Sequence, residues 1–166
     1  MKEIHLHTFN TGFGTIRTAA TDRGLALLVL PGVSRDRFEK LVAGYYVDHD
    51  ISEANTANLV AAKQITEYLN GDRRSFRLKL DIQGTPFQIK TLQQVARIPY
   101  GKTMTYGQVA AAVGHPGAAR AVGSANARNR LPLVIPCHRV VASNGIGGYG
   151  GGKVMKRKLL LMERAL

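Results

Sequence analysis

TYGQVAAAVGHPGAARAVGSANARN, residues 105–129, is the stretch on which the reading of the chain turns. Thr105 and Gln108 have capping-box spacing: the hydroxyl accepts from the Gln108 backbone N–H, and the Gln side chain returns a bond to the Thr105 N–H. Tyr106, Val109, Ala110 and Val113 follow at i, i+3, i+4 and i+7, and Gly114 ends the stripe. After the turn His115-Pro116-Gly117 a second helix runs to about Arg128. Two short helices joined by a Gly/Pro turn predict a helix-turn-helix. In the second helix Ala118, Val122 and Ala125 pack inward, while Arg120, Gly123, Ser124 and Ala127 leave a face nearly bare except for one arginine. A bare face lets another backbone come close. The minor groove of B-form DNA is only ~6 Å wide, so a helix lying there must widen it, with a wedge side chain to hold it open.

The charge around this stretch is segregated. Of the net +12, residues 1–81 contribute +1 (11 Lys/Arg against 10 Asp/Glu) and residues 82–166 contribute +11 (12 against one). A basic half of this kind points to a polyanion, and nucleic acid fits better than an anionic membrane because no basic amphipathic stretch ends in exposed aromatics. No run approaches the ~18–20 apolar residues of a membrane span, and MKEIHLHTFN lacks a signal-peptide core. A single cysteine, Cys137, can form no internal disulfide and no cysteine-rich zinc site. A reducing compartment follows: the cytoplasm, or the nucleus in a eukaryote.

Outward towards the N-terminus, alternating apolar positions in 4–9 and 14–19 and the apolar run 25–30, stopped by Pro31-Gly32, predict a small sheet. A helix from Ser34 places Phe38, Leu41 and Val42 at core spacing, and another covers about 54–69, ending at Asn70-Gly71. The polar stretch 71–84 marks a lobe boundary. The expected architecture is α+β in two lobes: an N-terminal sheet-plus-helix lobe, 1–80, and a mostly helical lobe, 81–166, carrying the helix-turn-helix. His5 and His7 share a strand face, but no further ligand spacing makes them a metal site.

Towards the C-terminus, LPLVIPCHRVV (131–141) holds the one thiol. Free cysteine is most often a small buried hydrophobe. Here Pro136 fixes the backbone before it, His138 and Arg139 set cations beside it in sequence, which lowers a thiol pKa, and the turn at Asn129 can send an amide back to it. A nucleophilic cysteine needs a base, and the base an orienter. His138 supplies the first. Glu163, the lone acid of this half, supplies the second.

IPCHRVV (135–141) resembles the active-site motif of the O6-alkylguanine-DNA alkyltransferases, the methylated-DNA–protein-cysteine methyltransferases. The likeness is collinear over 84–163: GTPFQ at 84–88, IPYGKTMTYGQVA at 98–110, GHPGAARAVGSANARN at 114–129, and GGYGGGKVMKRKLLLME at 147–163. The first ~80 residues match only in the manner of that family's variable lobe. The resemblance implies direct repair: a helix-turn-helix enters the minor groove of duplex DNA, the alkylated guanine rotates out, and Cys137 irreversibly accepts the alkyl group from O6, once per molecule. O4-alkylthymine stays open as a further substrate. His138 would take the thiol proton through water, Glu163 would hold the imidazole, and Asn129 would brace the turn. Tyr106 would aid flipping and protonate the departing base, Arg120 would fill the vacated stack, and Gly123, Ala127 and Arg128 would meet the DNA. Pro132, Val140 and Tyr149 would line the alkyl pocket. No cofactor or metal is implied, and the expected state is a monomer on double-stranded DNA containing alkylated guanine.

The chain departs from the family in three places. Arg130 stands where proline usually follows the hinge asparagine, Ala96 where a tryptophan is common, and Gly150 where some members have serine. An alkyltransferase-like sensor that binds lesions without transfer is the alternative, but such sensors lack the acceptor cysteine. A Cys-His hydrolase would have no use for the bare-faced helix, and a DNA-bending protein none for the thiol set. Residues 147–153 resemble a phosphate-binding P-loop, but Val154 stands where magnesium needs Ser or Thr.

Overall fold

The computed structural model describes residues 2–166, and the fold is α+β. It divides into two compact units, Met1–Ile82 and Gln83–Leu166. In the first, strands β1 (Lys2–Thr11) and β2 (Gly14–Thr21) form an antiparallel hairpin in which His5 pairs with Ala20 and Phe9 with Ile16. β3 (Gly24–Val29) adds antiparallel to β2, with a bulge at Ala19/Ala20. Helix α1 (Arg35–Tyr45), capped by Ser34, then crosses over to β4 (His49–Ser52), which lies parallel to β1. The sheet order is therefore β3-β2-β1-β4. β4 is polar and short, with no alternating apolar pattern, so the sequence did not announce it.

Every residue of β3 is buried, as a continuous apolar run demands when both sheet faces are covered. α1 covers one face: Phe38, Val42 and Tyr46 pack against Ile4, Ala19, Leu27 and Val29. Helix α2 (Thr56–Leu69) covers the other, where Asn58 donates to the Thr18 hydroxyl at 3.1 Å, both residues fully buried. Its N-cap, Asn55, forms a reciprocal box with Asn58. Leu25 and the 79–81 segment exchange backbone bonds at 2.9 and 2.8 Å, which closes the unit's open edge.

The second unit opens with α3 (Pro86–Val95), capped by Thr85 with Gln88. A two-residue strand, β5 (Met104–Thr105), runs into α4 (Tyr106–Ala112), where the expected Thr105/Gln108 box is formed with bonds of 2.8 and 3.1 Å. The turn 113–118 leads to α5 (Ala119–Ala127). Val109, Ala110, Val113, Val122 and Ala125 are buried; Tyr106 and Ala118, expected in the core stripes, are only half-buried. After a loop the chain makes one 3₁₀ turn, Cys137–Arg139, then β6 (Val140–Val141) and α6 (Lys153–Met162). β5 and β6 pair in parallel, Met104 with Val140 and Thr105 with Val141. That short ladder fixes the start of α4 beside the cysteine turn. The sequence reading contained neither strand, nor α6 as a helix.

Candidate active site

Cys137 heads its 3₁₀ turn because the segment before it is held rigidly. The Asn129 side chain accepts from Leu131 N at 2.9 Å and donates to the Ile135 carbonyl at 3.0 Å, so its amide closes the loop from both ends. Leu133 sits fully buried at φ 72°, a left-handed conformation that costs a leucine about 1–2 kcal/mol and persists only where packing over-determines it. Arg130, in place of proline, leaves both Asn129 bonds intact.

Beyond the thiol, His138, Arg139 and Glu163 form one buried cluster, 0, 6 and 2% exposed. Glu163 closes α6 at its C-cap and points back to the turn. Its Oε1 accepts from Arg139 Nε at 2.7 Å and Gly101 N at 3.3 Å, and its Oε2 pairs with His138 Nε2. Arg139 Nη1 also donates to the Ile98 carbonyl at 2.6 Å. A carboxylate only accepts, so His138 carries its proton on Nε2, which makes Nδ1 the basic nitrogen. Burial holds the His138 pKa below its usual value despite the opposing pull of Glu163. The imidazole is therefore neutral near pH 7, a state that can accept a proton.

The expectation that His138 and Arg139 lower the thiol pKa does not hold. Both side chains turn to Glu163, and burial pushes the Cys137 thiol up. The groups that pull it down are the Asn129 amide and then Lys156. Lys156 is fully buried; its Nζ donates to the carbonyls of Val140 (2.6 Å) and Gly148 (3.0 Å) and lies 6.0 Å from the centre of the Tyr106 ring.

Cys137 opens onto a cavity of about 350 Å³ walled by Tyr106, Asn126, Ala127, Tyr149 and the backbone of Gly123, Gly148 and Gly150. Two tyrosines flank the thiol, and burial first, then the Cys137 charge, raises the pKa of each. Both are neutral phenols able to donate. Gly147, at φ 76°, lets the loop pass the Tyr106 ring, since a Cβ there would lie 3.0 Å from the hydroxyl. A second cavity, about 360 Å³, lies against β1 and α1 and is lined by Leu6, His7, Arg35, Phe38 and Glu39 among others. It holds no nucleophile, and Arg35 is already paired to Glu39 at 2.8 Å.

The structure thus brings together Cys137, His138, Glu163 and Asn129, and sets Tyr106, Gly123, Ala127 and Tyr149 around one cavity. Arg120 and Arg128 are exposed at either end of α5 and do not line it. Neither do Pro132, which is half-buried, nor Val140, which is wholly buried and turns its carbonyl to Lys156. Sequence reasoning missed Asn126, whose amide nitrogen and oxygen are buried at the cavity wall with no hydrogen-bond partner among the described residues. The signal was there: Gly123, Asn126 and Ala127 fall at i, i+3 and i+4. It also missed Lys156, which shares the buried stripe of α6 with Leu159, Leu160 and Glu163 at the same spacing. Among the described residues no cluster of three or more His, Cys, Asp or Glu could hold a metal ion.

Residues 86–165 match the family model described as the DNA-binding domain of 6-O-methylguanine DNA methyltransferase. The chain is 52% identical over 112 residues to the constitutive methylated-DNA–protein-cysteine methyltransferase of Bacillus subtilis, covering 66% of this chain and 68% of the relative. It is 47% identical over 110 residues to the methylated-DNA–protein-cysteine methyltransferase of Mycobacterium leprae, covering 66% of each. The matched stretch thus spans about two thirds of these relatives. The crystal structure of the Mycobacterium tuberculosis O6-methylguanine methyltransferase superposes with a TM-score of 0.82 at 33% identity over 98% of this chain and 93% of that one. The same M. tuberculosis protein solved in complex with DNA gives 0.82 at 34%, over 97% and 93%. With its thiol on a cavity and the next residue's imidazole paired to a buried carboxylate, the chain belongs to the methylated-DNA–protein-cysteine methyltransferase family.

Proposed function

We propose that this protein repairs duplex DNA by moving the alkyl group of O6-alkylguanine to Cys137, one lesion per molecule. The observation that carries the reading is a thiol, Cys137, opening on a cavity with a bare-faced helix at its rim, the adjoining His138 being held by Glu163. DNA binding is supported by the +11 charge of residues 82–166 and by the relative solved on DNA. α5 lies along the minor groove with Gly123 and Ala127 against the backbone, Arg128 at its end and Arg120 in the gap left by the everted base. A cavity of about 350 Å³ suits one base, not a duplex, so the guanine must leave the stack.

In the transfer, His138 Nδ1 takes the thiol proton through a water, with Glu163 holding Nε2–H. The sulfur then attacks the alkyl carbon in line, the C–O6 bond breaks, and the electron pair stays with the purine. Tyr106 donates a proton to the departing base and is reprotonated from the imidazolium. The net change is one thiol proton exchanged for one alkyl group. Asn129 keeps the turn in register, and Tyr149 forms the wall against the alkyl group. A thioether has no thiol-exchange chemistry, and the chain holds no second cysteine.

Incubation with a duplex bearing one O6-methylguanine, followed by intact mass, tests this directly. The expected result is a gain of one CH2 on the peptide of Cys137, stoichiometric and without turnover, lost in Cys137→Ala. Binding with no gain would identify a lesion sensor, and repeated turnover indifferent to DNA a hydrolase. Either overturns the proposal.

A further inference from the structure

Ile98-Pro99-Tyr100-Gly101, the turn that leads towards β5 and α4, packs on the cluster behind the thiol. The Ile98 carbonyl accepts from Arg139 Nη1 at 2.6 Å, the Tyr100 ring centre lies 5.7 Å from the guanidinium carbon, and Gly101 N donates to Glu163 Oε1 at 3.3 Å. A Cβ on Gly101, whose φ is +78°, would lie 3.0 Å from the Glu163 carbonyl oxygen, so the approach needs glycine. Held in this way and only 6% exposed, Arg139 sends Nε to Glu163 Oε1 at 2.7 Å, while Oε2 takes His138 Nε2. An arginine commonly leads its charge out to water. This one ends instead against a carbonyl, an aromatic face and a carboxylate.

A guanidinium stays protonated across the physiological range, so the positive charge beside Glu163 is permanent. The other titratable groups facing His138 are Cys137 next to it, Glu163 and Lys156 from α6, and Tyr149 from the loop, its ring centre 6.3 Å away. Without the guanidinium, Glu163 and a neutral His138 would form a buried pair with a net negative charge, which proton uptake removes. The added proton has two places to go. It can make an imidazolium on a carboxylate, or a carboxylic acid that donates to Nε2 of an imidazole protonated at Nδ1. Both put hydrogen on Nδ1. We propose that Arg139 is a positioning residue for the transfer: its guanidinium holds the Glu163–His138 pair one proton short, and so keeps Nδ1 bare to receive the proton of the thiol. This rests on reading His138 as the base in alkyl transfer to Cys137. Burial holds the His138 pKa down, Glu163 pulls it up, and the charge of Arg139 pushes it down again. The turn 98–101 grips both members of the ion pair, the arginine by a carbonyl and the glutamate by an N–H.

Nuclear magnetic resonance of the full-length protein carrying 15N-labelled histidine reads this without DNA, the His138 signals being those lost in His138→Gln. In Arg139→Gln the midpoint at which Nδ1 gains hydrogen should rise by about one pH unit or more. In Arg139→Lys, which keeps a positive charge, it should stay near wild type. Single-turnover transfer from an O6-methylguanine duplex should follow the same order. The glutamine variant falls behind by about tenfold at pH 6 and closes on wild type as pH rises, while the lysine variant keeps the wild-type profile. Loss by one constant factor at every pH, or midpoints displaced equally by lysine and glutamine, would overturn the proposal. Should the variants not fold, wild type decides: Nδ1 must stay bare below the ordinary histidine midpoint of ~6.5, and hydrogen on it at pH 7 refutes the proposal. A displaced midpoint in a protein that takes no methyl from O6-methylguanine DNA would sink the repair reading and leave the hold of Arg139 on the imidazole standing.

Discussion

Glu163→Gln is the perturbation on which the site's electrostatics can be judged. The carboxylate receives three donors on two oxygens: Arg139 Nε at 2.7 Å, Gly101 N at 3.3 Å and His138 Nε2. Glutamine keeps the shape but replaces one oxygen by an NH2, so at least one donor must face another. The imidazole can give way by moving its proton to Nδ1 and letting Nε2 accept, and that removes the lone pair proposed as base. Arg139, 6% exposed, meanwhile loses its counter-ion. Breaking a buried ion pair from one side costs about 3–5 kcal/mol, a large share of the ~5–15 kcal/mol that holds a domain together. For a protein of this size each kcal/mol moves Tm by roughly 2–4 °C, which gives a fall of roughly 6–20 °C. Loss of a positioned base should slow transfer by ~10²–10⁴. Calorimetry and single-turnover transfer on an O6-methylguanine duplex measure both. Adding Arg139→Met should restore part of the stability and none of the rate. A variant melting within about 2 °C of wild type, or transferring at an unchanged rate, would refute the reasoning.

Two further perturbations bear on separate steps. Arg120→Ala should slow transfer from a duplex by about tenfold or more while leaving transfer from free O6-methylguanine base unchanged, because an exposed side chain outside the cavity acts only on the stack; equal losses on both substrates would remove the assignment. His138 predicts an acid limb. Its folded pKa lies below the unfolded ~6.5, so under that pH the unfolded chain binds the extra proton and stability must fall as pH drops. Urea midpoints from pH 7 to 5 should decline less steeply in His138→Gln, and parallel curves would contradict the burial argument.

What could be read in the sequence was what local chemistry encodes. The hairpin β1–β2, the Thr105/Gln108 cap and the α4–turn–α5 unit each rest on residues within a few positions of one another. β4 was not legible because its pairing with β1 comes from a crossover, and β5–β6 because two residues carry no period. The same distinction runs through the site. His138 and Glu163 were paired because the imidazole lies next to the thiol in sequence and the basic half holds a single acid, without any knowledge of α6. The electrostatics around the thiol failed because adjacency along the chain was read as adjacency in space.

A 3₁₀ turn advances about 120° per residue, so Cys137, His138 and Arg139 necessarily leave it in three directions. The thiol takes the cavity, and the imidazole and the guanidinium take Glu163. The charge that reaches the sulfur must then come from an element packed across the turn, and α6 supplies it seven residues before Glu163, two turns along the same buried stripe. One helix thus serves the nucleophile twice: Glu163 fixes which imidazole nitrogen is basic, and Lys156 pulls the thiol pKa down against burial. Because both are set by the rotation of α6, a shift of that helix by one residue would unseat the imidazole's carboxylate and the lysine together. That coupling explains why a buried lysine and a buried glutamate, each costly alone, occur on the same face.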